Sequence, residues 1–228
     1  MRLVTVAGPP SSGKTSVIVQ LGRVLDEKGK SMAVVKFDCM TSFDRERYTA
    51  ENIPVKIGLA GKMCPDHYFA CSVEDAIGWG EEIGIDFLVT ESAGLCNRCS
   101  PHIRSHLGIC VIDNLSGVQT PRKIGPLLRF ADVVVITKSD LVSQAEREVF
   151  RLNVRRANPR AAVRTVNGIT GQGSFIMEKH LEMSPELDRA SELKLRFNTP
   201  SSVCSYCTGE TRIGSAFQMG MIKRSELS

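Results

Sequence analysis

The sequence predicts an α/β fold, doubly wound, with a mainly parallel sheet flanked by helices. Two observations carry that prediction. Six short runs rich in apolar and β-branched residues alternate with helical patterns, and the order βαβα points to helices layered on a sheet. The runs are also almost uninterruptedly apolar, which indicates strands buried on both faces, the condition of a parallel sheet.

Taken in order, "RLVTVAG" (2–8) is the first expected strand. "KTSVIVQLGRVLDEKGK" (14–30) follows as a helix, with Val17, Leu21 and Leu25 spaced to share one face and Gly29 as its stop. "SMAVVKFD" (31–38), "IDFLVTES" (85–92), "GICVIDN" (108–114) and "ADVVVITK" (131–138) are further strands. "SQAEREVFRLNVRRANP" (143–159) reads as a helix with Ala145, Val149 and Leu152 on its inner face, ending at Asn158-Pro159. "AAVRTVN" (161–167) is the sixth strand. Beyond residue 183 the alternation fades. The expected organisation is one domain over 1–183 and a C-terminal extension, 184–228, packed on it.

Composition narrows the function classes. At 228 residues, 42% hydrophobic and 24% charged, the chain can build a core and is not of the disordered type. A net charge of +4, not concentrated in one block, argues against a nucleic-acid partner. No window reaches the roughly 18 apolar residues of a membrane span, and "LVTVAG" runs into a Gly-Pro-Pro loop rather than a signal peptide. The expected compartment is cytoplasmic. There a disulfide framework from the eight cysteines is disfavoured, and Cys110, inside an apolar run, reads as a buried thiol.

"GPPSSGKT" (8–15) fits G-x-x-x-x-G-K-[ST] between an expected strand and an expected helix, the context a phosphate-binding loop requires. Backbone N–H groups of Gly8, Ser11, Ser12, Gly13 and Ser16 would cradle the phosphates at the helix N-terminus; Pro10, which has no N–H, belongs to the same loop. Lys14 would reach the β- and γ-phosphates, and the Thr15 hydroxyl would ligate Mg²⁺. "TKSD" (137–140) resembles the N/T-K-x-D guanine motif, with Asp140 accepting from guanine N1 and N2 and Lys138 lying along the base; Thr137 stands where Asn is usual. "TVNGITGQG" (165–173), with Asn167, falls where such folds close a loop over the base. Asp38, at a strand end, is expected near Mg²⁺ or the attacking water; Glu91, Asp44 and Thr41 are further candidates.

The order of the P-loop, "FDCMTSFDRERY", "GKMCPDHY", "TESAG", "TKSD" and "TGQG" resembles the nickel-insertion GTPases, the hydrogenase-maturation and urease-accessory group of SIMIBI-class P-loop NTPases, over roughly residues 2–182. The resemblance implies a GTP-dependent homodimer that binds a metal at the subunit interface and hands it to a client metalloenzyme or another maturation protein. It also implies Asp38 and Glu91 as catalytic acids beside Lys14, and Gly94 in "ESAG" as part of the γ-phosphate sensor. The urease-type branch uses a Cys-Pro-His metal motif. Here Cys64-Pro65-Asp66-His67 carries one inserted residue, and Cys64 and His67 are its candidate ligands.

Two Cys-x-x-Cys pairs, Cys96/Cys99 and Cys204/Cys207, together supply the inventory of a tetrahedral zinc site or an iron–sulfur cluster. Nickel or zinc as a single ion and a cluster all stay open. So do a redox pair and thiols with no joint role. His102 and His106 would add ligands if their segment were helical; otherwise they read as solvent-facing. Arg98, Arg104, Arg122, Lys123 and Arg129 read as a partner-facing or nucleotide-facing surface. Two rivals stand beside the metal-handling GTPase: a GTPase gating a corrinoid or other cofactor enzyme without a metal of its own, and an iron–sulfur ATPase driving electron transfer.

Overall fold

In the computed structural model of the chain, residues 1–40, 43–61, 64–187, 192–199, 205–206 and 209–220 are described. Seven strands form one parallel sheet: β1 Arg2–Ala7, β2 Met32–Asp38, β3 Val55–Leu59, β4 Phe87–Ser92, β5 Leu107–Asp113, β6 Val133–Thr137 and β7 Ala162–Thr165. Their order is β3-β2-β4-β1-β5-β6-β7. The helices are α1 Lys14–Asp26, α2 Arg45–Thr49, α3 Pro65–Glu82, α4 Thr120–Lys123, α5 Pro126–Arg129, α6 Gln144–Ala157 and α7 Met177–Glu182. The six expected strands are all present. β3 was not expected, and among the described residues it forms an edge that pairs with β2 alone.

Alternation along β1 divides the core. Val4 and Val6 join Val17, Ile18, Leu21 and Leu25 of α1 beneath one face. Leu3 points to the other face, among Phe69, Val73 and Ile77 of α3, while Ala7 packs toward Phe150 and Val154 of α6. Helix α1 therefore buries the stripe its spacing dictates, and Gly29 at φ +66 follows its end. Helix α6 does not. Ala145, Val149 and Leu152 face outward, and the inner stripe is Phe150, Asn153 and Val154. Phe150 and Val154 form an i, i+4 pair beneath the sheet, and the Asn153 amide adds a bond to the Val118 carbonyl at 2.7 Å.

The described part of the extension lies against the main sheet. Leu193, Leu195, Tyr206 and Ile213 share a core with Leu3 and Phe69. The Ser184 hydroxyl donates to the Leu3 carbonyl at 2.8 Å and accepts from the Leu107 amide at 3.0 Å. Arg196 clamps both oxygens of Asp132, at 2.8 and 2.6 Å.

The chain leaves β4 on one side of β1 and enters β5 on the other, so the loops after β1 and β4 meet at a topological switch point. Ligands of such sheets bind there, outside the carboxyl ends of the strands. Among the described residues no helix is long and apolar enough to cross a membrane.

Candidate functional site: a phosphate loop joined to a thiol cluster

The P-loop leaves β1 and turns into α1 through Gly13, at φ +90. Lys14 Nζ donates to the carbonyls of Gly8 (3.0 Å), Pro9 (2.9 Å) and Ala93 (3.4 Å). Burial lowers its pKa, against the pull of Glu91. Thr137, the departure from the guanine motif, donates its hydroxyl to the Ser12 carbonyl at 2.6 Å, so it braces the P-loop from β6. The Ser12 hydroxyl is buried without a hydrogen-bond partner among the described residues, a free polar group inside a loop built for oxyanions.

Glu91, 1% exposed at the end of β4, is the hub of the acidic side of the cleft. It accepts from the Thr15 hydroxyl (2.9 Å), the Tyr48 hydroxyl (2.7 Å) and Lys36 Nζ (3.4 Å). Lys36, at the centre of β2, also pairs with Asp44 and with Asp38 (3.7 Å). Burial works against its charge, but Glu91, Asp44 and Asp38 outweigh it and the pKa is raised. Asp44, although burial opposes its charge, is held below the usual carboxylate range by Lys36. Neither Lys36 nor Tyr48 was expected in the site. A lysine inside the apolar run "MAVVKFD" was the available signal. Thr15, Glu91 and Asp38 line the cleft with hard oxygen donors, the type Mg²⁺ prefers. Thr41 lies outside the described residues.

On the base side Lys138, at φ +55, donates Nζ to the Ser11 carbonyl at 2.7 Å. Asp140 is exposed in the turn after β6. Asn167 shapes its own loop: Oδ1 accepts from the amides of Ile169 (2.9 Å) and Thr170 (3.0 Å). That loop sits close on α1, because a Cβ at Gly168 would lie 2.7 Å from Ser16 Cβ.

The turn after Glu91 touches the P-loop. Gly94 has φ +72, and a Cβ there would come 1.6 Å from the Gly8 carbonyl oxygen, so only glycine permits the approach. On the far side of this turn lies the thiol cluster. Cys64, N-cap of α3, together with Asp66 and Cys99 brings ligand atoms within 4.8 Å of one another. Cys96 Sγ is 3.2 Å from Cys99 Sγ. A hydrogen bond from Cys99 holds the Cys64 thiol well below the usual thiol range, against burial, and His67 and the first amides of α3 add to the effect. Cys99 is shifted up, by its bond to Cys64 first and then by burial. Burial, then the Cys64 charge, raises Asp66 to about 6. A thiolate, a second thiol and a carboxylate at this spacing fit a tetrahedral ion with Zn–S bonds of about 2.3 Å.

The structure thus joins two groups that the sequence left separate, Cys64 from one and Cys96/Cys99 from the other. It adds Asp66, and it leaves His67 as a hydrogen-bond partner of Cys64 outside the converging donors. Cys204 and Cys207 lie outside the described residues. His102 and His106 are neither helical nor solvent-facing. His102 is fully buried, with Nδ1 2.9 Å from the Thr5 hydroxyl and Nε2 3.0 Å from the Leu127 carbonyl, and His106 is 5% exposed. Cys110 is buried as expected, its thiol pushed up to about 12 by burial. Arg104 and Arg129 line a separate cleft with Arg160 and Arg196, at the end of the sheet away from the P-loop.

The sheet order, the P-loop at its switch point and the acid hub beside Thr15 define a P-loop nucleotide-binding protein of the SIMIBI type. The chain belongs to the CobW/HypB/UreG family, whose nucleotide-binding domain matches residues 2–165. It is 45% identical, over 98% of its length and 96% of the relative's, to an uncharacterized protein of Methanocaldococcus jannaschii. It is 29% identical to the urease accessory protein UreG of Haloquadratum walsbyi, over 75% of this chain and 89% of that one. The fold is shared with HypB of Helicobacter pylori, solved in complex with nickel, at a TM-score of 0.62 and 20% identity, over 83% of this chain and 91% of that one.

Proposed function

We propose that the protein is a GTP-binding and GTP-hydrolysing, metallochaperone-like maturation factor that couples nucleotide state to metal binding and delivery. The observation that carries this reading is the placement of the Cys64–Asp66–Cys99 cluster directly behind the turn 91–94 that contacts the P-loop. The carboxylate in the donor set favours one transition-metal ion, zinc or nickel, over an iron–sulfur cluster, whose ligands are thiolates.

In the reaction, Lys14 exchanges its three carbonyl acceptors for the β- and γ-phosphates. Thr15, with Glu91 and Asp38 behind it, would hold Mg²⁺, which neutralises phosphate charge when bound. Asp38 orients the water that attacks the γ-phosphorus. The bond to the β–γ bridging oxygen breaks, and GDP and phosphate leave. Asp140 selects guanine by accepting from N1 and N2. Hydrolysis is slow, because switching is the output. Exposed Leu95, which lines the cleft, and exposed Phe43, next in sequence to the cleft residue Asp44, support a second copy closing over the nucleotide as a homodimer. The client is a metalloenzyme or another maturation protein in the cytoplasm.

The test is metal stoichiometry of anaerobically purified protein, with Cys64→Ser, Cys99→Ser and Cys204→Ser variants. The reading predicts that one ion per site is lost in the first two. Unchanged metal content in both removes the proposed site. Asp140→Ala serves as the nucleotide arm and should erase the preference for GTP over ATP.

A further inference from the structure

The residue inserted between Cys64-Pro65 and His67 is Asp66, 3% exposed, and its side-chain hydrogen bond to Ser92 runs toward the nucleotide site. The Ser92 hydroxyl donates to Asp66 Oδ1 at 2.7 Å. Ser92 Oγ in turn accepts from the Gly94 amide at 3.4 Å. Ser92 is the neighbour of Glu91, which holds Thr15. Gly94 sits on the Gly8 carbonyl, and the intervening Ala93 carbonyl accepts from Lys14. One end of this chain of donors faces the γ-phosphate position and the other ends on a carboxylate within 4.8 Å of two sulfurs.

We infer that Ser92 and Asp66 form the relay by which nucleotide state sets metal affinity, with Ser92 as a positioning residue and Asp66 as the ligand it controls. The inference rests on the metal-handling reading above. Its physical basis is competition for hydrogen-bond donors. A carboxylate that accepts from a hydroxyl is a weaker base, and so a weaker electron-pair donor toward a metal, because part of its charge is already committed. Without the γ-phosphate, Gly94 N–H and Ser92 O–H are aligned toward Asp66. When the γ-phosphate arrives, it draws away both the Lys14 ammonium, from the Ala93 carbonyl, and the Gly94 amide. The anchor that holds the Ser92 hydroxyl in line is lost, and Asp66 is released to the metal. The triphosphate form then binds tightly, and hydrolysis restores the hydrogen bond and loosens the ion. No bond changes in the relay itself; only donor alignment does.

The experiment is zinc affinity by competition with a chromophoric chelator, in the GDP form and in the form bound to a non-hydrolysable GTP analogue. It is run on wild type, Ser92→Ala and Asp66→Asn, with melting curves to verify folding. Wild type is expected to bind zinc about tenfold more tightly with the analogue, within the range usual for coupled sites. Ser92→Ala frees Asp66 in both forms, so both should show the tight wild-type value. Asp66→Asn removes the anionic ligand, so both should be at or below the weak one. A folded Ser92→Ala or Asp66→Asn protein that keeps the wild-type ratio overturns the relay alone. Should Ser92→Ala not fold, Asp66→Asn decides. Wild type with one affinity in both forms overturns the relay and the parent reading together.

Discussion

Lys36 and His102 show two opposite ways to bury an ionisable side chain. Lys36 keeps its charge because three carboxylates surround it, and it in turn spaces Asp38, Asp44 and Glu91 around the phosphate site. Lys36→Met would leave those acids facing one another, at a cost of about 3–5 kcal/mol, the usual penalty for breaking a buried ion pair. Urea unfolding at neutral pH measures it. His102 instead surrenders its charge. Leu127 O can only accept, so Nε2 carries the hydrogen and Nδ1 accepts from Thr5. Burial lowers its pKa from 6.5 to about 4. Because the folded value is the lower one, the unfolded chain takes up the proton first as pH falls. Stability is therefore intact above 6.5 and declines from there to 4, by about 3 kcal/mol at most. The stability difference between wild type and His102→Gln should change across that window and be flat above it. A difference independent of pH would contradict the neutral, buried assignment. Lys36 was legible as a charge in an apolar strand. The burial of His102 was not, because its partners Thr5 and Leu127 are far away in sequence.

At the scale of elements, legibility followed the clarity of the periodic signal. Helix α1 has a clean apolar stripe and buries it as read. Helix α6 carries two competing stripes, Ala145/Val149/Leu152 and Phe150/Val154, and the single large aromatic decides which faces the sheet. Phe150→Ala should cost about 3–5 kcal/mol. Val149→Ala and Leu152→Ala should stay within about 0.5 kcal/mol. Chemical denaturation of the three variants checks the facing of α6. Strand β3 is five residues with Lys56 and Gly58 inside it, at a sheet edge where little continuous hydrophobicity is needed. Helix α3 interleaves its buried Tyr68, Phe69, Val73 and Ile77 with acids and with Gly78 and Gly80, which hides its period. Its start at Cys64-Pro65 fits the preference for proline in the first turn.

For the whole molecule, six of the strands and the phosphate loop were readable because each of them is written in one contiguous stretch. The thiol cluster was not, since Cys64 and Cys99 meet only when α3 and the turn after β4 come to the same edge of the sheet. The core partners of Leu193, Leu195 and Ile213 were not legible either. Leu193, Leu195 and Ile213 each bury a side chain worth about 1.5–3 kcal/mol. Together they are comparable with the roughly 5–15 kcal/mol that stabilises a domain. A chain ending at residue 183 is therefore predicted to show a sharply lower urea midpoint than the full chain, and an equal midpoint would mark the extension as independent of the core.

The central claim is that the phosphate loop and the thiol cluster are one device. The most direct measurement is the dissociation constant for zinc of the wild-type chain, taken once with GDP and once with a non-hydrolysable GTP analogue. The account predicts one ion per chain in both and about tenfold tighter binding with the analogue. Equal affinities in the two nucleotide forms would contradict it.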